Sequence, residues 1–106
     1  MLFRSALQAA AFSGNEAVVR LLVDLGADVN VQGGEFVNAL QAAAFSRKEA
    51  VVRLLVDSGA EVNAQGGEYG NAFQAAESSV DEAVVRLLVD SGADVSARAA
   101  FSGARQ

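Results

Sequence analysis

The 106-residue chain contains no cysteine, histidine, proline, threonine or tryptophan, and its only lysine is Lys48. Without cysteine there is no disulfide framework, no thiolate nucleophile and no cysteine-based zinc site. That absence fits a reducing intracellular compartment, cytoplasmic in the first instance, with the nucleus also admitted. With neither histidine nor cysteine, no Ser/His/Asp or Cys/His constellation can be assembled. A lysine-assisted mechanism would rest on Lys48 alone, in a polar turn. No glycine-rich run leads into Lys-Ser/Thr, so there is no phosphate-binding loop; Gly33-Gly34 and Gly66-Gly67 read as turn glycines. Positive charge is scarce too. A net charge of −5 and a pI near 4.5 disfavour nucleic acid and anionic membrane, which both call for basic surface. No apolar run approaches the length of a bilayer crossing, and no Asn-x-Ser/Thr sequon occurs. The expectation is a chain with no cofactor, no metal and no enzymatic activity.

What the chain does have is apolar material, just over half of its residues, and a period. The stretch from Ala6 to Asn38 lies on Ala39 to Asn71 without a gap, with 26 of 33 positions identical. A third copy keeps the register from Ala72 through Val95. Leu7, Leu40 and Phe73 are equivalent, as are Glu16, Glu49 and Glu82, and Gly26, Gly59 and Gly92. A fixed step of this size marks a stacked repeat architecture. The repeat also disposes of a signal-peptide reading of the N-terminus, because Ala6-Leu7-Gln8-Ala9-Ala10-Ala11-Phe12 recurs at Ala39 to Phe45, where no signal could sit.

Within a unit the residues predict helix, turn, helix and long loop. Asn38 precedes Ala39-Leu40-Gln41-Ala42-Ala43-Ala44, a run of strong helix formers. It is a good N-cap, since its side chain can accept from a helix amide that lacks an intrahelical partner. Gln41, three residues on, completes a capping-box pattern, repeated as Ser5 with Gln8 and Asn71 with Gln74. The first helix should stop near Ser46-Arg47. The second should start near Lys48 or Glu49 and run to Asp57, with Val51, Leu54 and Leu55 on one apolar face and Val52 and Val56 widening it. Gly59 should end it in a left-handed conformation. The segment from Ala60 to Gly70 reads as a projecting finger, either a loop or a short β-hairpin, turning at Gly66-Gly67.

Charged residues recur as well. Asp24 and Asp28, Asp57 and Glu61, and Asp90 and Asp94 stand four apart, but a glycine between the members of each pair keeps them off a common helical face. Asp28-Val29-Asn30 lacks the oxygen-rich loop of a calcium site. Glu16-Arg20-Asp24, Glu49-Arg53-Asp57 and Glu82-Arg86-Asp90 alternate in sign at i, i+4 spacing. They read as a solvated face of weak pairs, with a charged stripe for a partner as the sharper alternative.

These units resemble the ankyrin repeat, a 33-residue β-turn and helix pair with the signature Thr-Pro-Leu-His-x-Ala. The matching segments are Ser5-Ala6-Leu7-Gln8, Asn38-Ala39-Leu40-Gln41 and Asn71-Ala72-Phe73-Gln74. Val18-Val19-Arg20-Leu21-Leu22-Val23-Asp24-Leu25-Gly26-Ala27-Asp28-Val29-Asn30 is similar to the family's second helix and its Gly-Ala-Asp-Val-Asn end. The Gly-Gly-Glu-Phe/Tyr fingers look similar to repeat arrays of fungal signalling proteins. The resemblance implies an all-α solenoid of three stacked helix-turn-helix repeats with projecting fingers. The whole chain, 1–106, would be one domain. Its repeats would span about 5–37, 38–70 and 71–98, with a loosely ordered tail from about 99 to 106. The resemblance also implies another protein as partner, with no nucleic acid and no membrane, bound through finger tips and the concave first-helix surface.

In such a stack identical positions are mostly occupied in building the array, so binding should use what differs between copies. At the first-helix end, Phe12-Ser13-Gly14-Asn15 becomes Phe45-Ser46-Arg47-Lys48 and then Ser78-Ser79-Val80-Asp81. At the finger, Glu35-Phe36-Val37 becomes Glu68-Tyr69-Gly70. The candidate partner-binding residues are therefore Glu35, Phe36, Val37, Phe45, Ser46, Arg47, Lys48, Glu68, Tyr69, Ser78, Ser79 and Asp81. The finger aromatic, Phe3, Phe36 or Tyr69, is either packing between fingers or an exposed anchor; Phe45 is expected to be partly exposed. Terminal repeats normally need polar outer faces, yet Leu7, Ala10 and Ala11 have no preceding unit and the tail shows no clear cap. The uncapped ends read either as those of a fragment of a longer array or as surfaces for end-to-end self-association, and the competing reading of function is a structural spacer or self-assembling segment of a longer ankyrin array in a signalling protein.

Overall fold

The computed structural model describes residues 4–33 and 38–95. Six helices alternate along them: α1 (Arg4–Ser13), α2 (Glu16–Asp24), α3 (Ala39–Phe45), α4 (Glu49–Asp57), α5 (Ala72–Ser78) and α6 (Glu82–Asp90). They form three helix pairs stacked in chain order, α1 against α3 against α5, and α2 against α4 against α6. No strand is present among the described residues; the described finger residues are loop, apart from one antiparallel bridge between Gly66 and Gly70, where the Gly66 amide donates to the Gly70 carbonyl at 2.9 Å. No described helix is long and apolar enough to cross a membrane. Residues 1–3, 34–37 and 96–106 lie outside the description, and with them Phe3, Glu35, Phe36, Val37 and the expected loose tail.

Helix starts follow the cap residues. The Gln41 amide donates to Asn38 Oδ1 and the Gln74 amide to Asn71 Oδ1, both at 2.8 Å. The other half of the expected capping box is not made: the Gln41 side-chain amide reaches forward to the Gly66 carbonyl at 3.3 Å, and Gln8 reaches likewise to Gly33 at 2.6 Å. Each glutamine thus ties a first helix to the finger that follows it. The first copy also departs at its start. Helix α1 begins at Arg4, so Ser5 lies inside it and is not its N-cap. Arg4 stands where the third copy has Gly70, whose φ of 88° breaks any helix upstream of Asn71; arginine favours helix instead.

Both helices of a pair end in the same way. The Ala60 amide donates to Leu55 and the Gly59 amide to Val56, with Gly59 at φ 98°, which is a Schellman end. The first helix of each pair repeats it: Lys48 donates to Ala43 and Arg47 to Ala44. This puts positions 14, 47 and 80 in the left-handed region, at φ 78°, 64° and 57°. Glycine suits that conformation, whereas a β-branched residue there is a genuine outlier. Val80 is strained and 81% exposed. Val80→Gly is expected to raise stability by about 0.5–1 kcal/mol, the left-handed penalty less the entropy of glycine, read as a higher melting temperature.

Comparing equivalent positions shows which surface each repeat turns to its neighbours. Ala6 and Ala9 are exposed, while Ala39, Ala42, Ala72 and Ala75 are buried; this is the leading face, covered by the preceding repeat. Ala11 and Ala44 are fully buried, whereas the equivalent Glu77 is only half-buried; this is the trailing face. In the second helices Val18 is 37% exposed and its equivalent Val51 is 1%. Leu7, Ala10 and Ala11 belong to the core, so the open apolar surface of the first repeat is not theirs; its large exposed apolar side chains are Phe12, Val18, Leu21 and Leu25. Asparagines fasten the loops between repeats. Asn30 accepts from the Glu61 amide at 2.6 Å and donates to the Gly59 carbonyl at 3.1 Å. Asn63 does the same with Asp94 and Gly92, at 2.7 and 3.1 Å.

Candidate functional site

Helices α2, α4 and α6 have one sequence, Glu-Ala-Val-Val-Arg-Leu-Leu-Val-Asp, so chemical individuality lies at the first-helix ends and fingers. At the end of α3, Phe45 is half-buried and stacked on Tyr69 of the next finger, centroids 4.8 Å apart and planes 27° from parallel. Tyr69 thus packs on the end of α3, the first helix of the same repeat. Phe45 keeps part of its surface open, as expected from the sequence.

Beside this stack, a groove of about 580 Å³ is lined by Gly67, Glu68, Tyr69, Gly70, Gln74, Glu77 and Ser78. It brings together three of the sequence-predicted residues, Glu68, Tyr69 and Ser78. Glu68 and Ser78 are exposed. The third copy differs from the others on the helical side of this groove, because Glu77 and Ser78 stand where α3 has Ala44 and Phe45. The remaining predicted residues have local duties. Ser46 Oγ donates to Ala42 at 2.8 Å. Ser79 Oγ donates to Ala76 at 3.1 Å and, across the repeat boundary, to Ala44 at 3.3 Å. Asp81 accepts from the Val84 amide as the N-cap of α6, and its carboxylate lies 3.9 Å from the exposed Arg47 guanidinium. Lys48 is half-buried with its stem over Gly14, where an added Cβ would fall 2.7 Å from Lys48 Cδ.

The sequence reading missed Gln74 and Glu77. Setting position 77 beside Ala11 and Ala44 exposes the change at once, but it falls one residue before the block of differences singled out above.

The opposite side of the stack carries the charge ladder. Arg20 pairs with Glu16 at 3.2 Å, Arg53 with Glu49 at 3.5 Å and Arg86 with Glu82 at 2.7 Å. No pair from these arginines to Asp24, Asp57 or Asp90 closes among the described residues. All six paired side chains are about half exposed or more, where such pairs contribute about 0.3–0.5 kcal/mol. Arg53→Ala should accordingly shift thermal stability by no more than about 0.5 kcal/mol in a melting experiment.

Residues 7–99 match the family model for ankyrin repeats, in three copies. The chain belongs to the ankyrin repeat family. It is also similar in structure to the crystal structure of the human ASB11 ankyrin repeat domain. The TM-score is 0.81 and the sequence identity 28%, over 87% of this chain and 42% of that one. This chain thus spans less than half of that domain. No curated protein matches it at the level of sequence. Ankyrin repeats are generally non-catalytic protein–protein interaction modules. Where the ankyrin signature has histidine, Gln8 and Gln41 supply the amide that holds the next finger.

Proposed function

We propose that the chain is a non-catalytic protein-binding module whose partner lies along the fingers and the concave first-helix face. One observation carries this reading: second helices are identical in all three repeats, while first-helix ends differ and border the groove of Glu68, Tyr69 and Ser78. A surface repeated without change offers little to distinguish partners, whereas the groove beside Phe45-Tyr69 is lined by Glu77 and Ser78, which differ from the equivalent Ala44 and Phe45. An aromatic with one face packed and part of its surface open loses little rotational freedom on contact, which suits it to an interface centre.

The test is affinity capture with the intact chain, comparing Tyr69→Ala and Glu68→Ala with Arg53→Ala and Arg86→Ala. A partner lost with the first pair and kept with the second supports the proposal. A partner indifferent to Tyr69 and Glu68 but lost with the arginines moves the site to the second helices. The identical second helices also favour a second reading, a structural spacer, for which capture would yield no partner from any variant.

A further inference from the structure

We infer that Ser78 is a phosphorylation site, an acceptor for a protein kinase that selects acidic surroundings. Access is the first observation. Ser78, at the end of α5, is exposed, and its hydroxyl makes no hydrogen bond among the described residues. Other serines at helix ends are tied to the backbone: Ser13 Oγ donates to Ala10, Ser46 to Ala42, Ser79 to Ala76 and Ser91 to Leu87. Ser58 is half-buried at the C-cap of α4. The openness at Ser78 does not come from lying in the last repeat, because the equivalent Phe12 is 43% exposed although α3 is stacked on α1.

Charge is the second. Glu77 precedes Ser78 directly, Asp81 and Glu82 follow it by three and four residues, and no lysine or arginine occurs between Arg53 and Arg86. A kinase with a basic substrate cleft selects such a pattern by charge complementarity. The third observation is the turn beyond. A kinase takes its acceptor in an extended segment, so the last turn of α5 has to open. Val80 holds that turn in the left-handed region at φ 57°, where a β-branched residue is strained, and strain in the closed form lowers the cost of local opening. The exposed Arg47–Asp81 pair at 3.9 Å is too weak to hold the turn shut. In the reaction Ser78 Oγ bonds to the γ-phosphorus of a nucleoside triphosphate and the bond from that phosphorus to its bridging oxygen breaks. The hydroxyl proton passes to the kinase's catalytic carboxylate, and the nucleoside diphosphate leaves. The product adds a charge of about −1.5 to −2 to the groove that Ser78 shares with Glu68 and Glu77. It also stands at the negative end of the α5 dipole. Phosphorylation therefore loosens the last turn of α5 and turns the groove against an acidic partner. That last consequence rests on the binding role proposed above; the acceptor site does not.

The test incubates the intact chain with ATP and an acid-directed serine kinase of proven activity on an acidic peptide, and maps the phosphate by mass spectrometry. A single phosphate on Ser78 is expected, and Ser78→Ala should abolish it. Asp81→Asn/Glu82→Gln, in which asparagine keeps the α6 cap, should slow incorporation at least about tenfold, in line with selection by charge. Val80→Gly, by relieving the closed turn, should slow it about two- to fivefold. Amide exchange of the phosphorylated chain should accelerate in the last turn of α5 and stay unchanged in α1 and α2, a readout that needs no partner. Circular dichroism shows that each variant is folded. Phosphate on Ser79 or Ser58 in place of Ser78, no incorporation into the folded chain, or incorporation indifferent to Asp81 and Glu82 overturns the inference.

Discussion

Ala44→Glu is expected to destabilise the protein by about 3 kcal/mol or more, the effective penalty for burying an unpaired ion. Ala44 is fully buried between α3 and α5, and its carbonyl also receives the Ser79 hydroxyl. The loss should be visible as a fall in melting temperature of about 4–8 °C per kcal/mol for a domain of this size. In a repeat array stability is a sum of units and joints, so the damage should concentrate at one joint. Amide exchange in α5 and α6 should accelerate more than in α1 and α2. Ala9→Glu is the control: the residue is exposed on the leading face of α1, where surface substitutions stay within about 0.5 kcal/mol. Equal losses from both variants would mean that the leading and trailing faces have been misassigned.

Leu55→Ala should cost about 2–5 kcal/mol, the range for truncating a fully buried leucine. Leu55 is completely inaccessible in α4 and belongs to the core running through all three repeats. Leu21→Ala, in an identical helix but on the open face, should cost less than about 1 kcal/mol, since little of the apolar area is removed from water in the first place. The contrast isolates packing from helix propensity, because the two helices share a sequence and both variants introduce the same residue. Chemical denaturation of the two variants side by side checks it.

Much of this architecture was legible in the residues. The 33-residue step, the asparagine caps at Asn38 and Asn71, and the glycines that end the second helices all act within one unit, over a few residues of chain. Local chemistry therefore announces them. What escaped the sequence depends on partners far along the chain. Gln41 has the spacing of a capping box, but its side chain finds the Gly66 carbonyl 25 residues away, a bond that exists only once the next finger is in place. Arg47 and Val80 carry no mark of left-handed backbone; only Gly14, at the same register, hints that the Schellman end imposes it. Of the candidate site, the Phe45 exposure and the place of Tyr69, Glu68 and Ser78 on one side were readable from differences between copies. The groove they border was not, since Glu77 lies among residues whose equivalents are buried alanines. The duties of Ser46, Ser79 and Lys48 as hydrogen-bonding and packing residues were also hidden, because variability alone does not separate a surface residue from one adjusted to its neighbour.

The asparagine fastenings have an evolutionary consequence. Asn30 and Asn63 grip main-chain atoms of the following unit, which every residue type provides in the same place. A junction made this way is indifferent to the side chains it joins. Duplication of a whole unit within the gene therefore yields a longer protein that folds without compensating changes, whereas an insertion of one or two codons shifts the grip off its mark. Growth by entire modules is the easy route open to such a molecule.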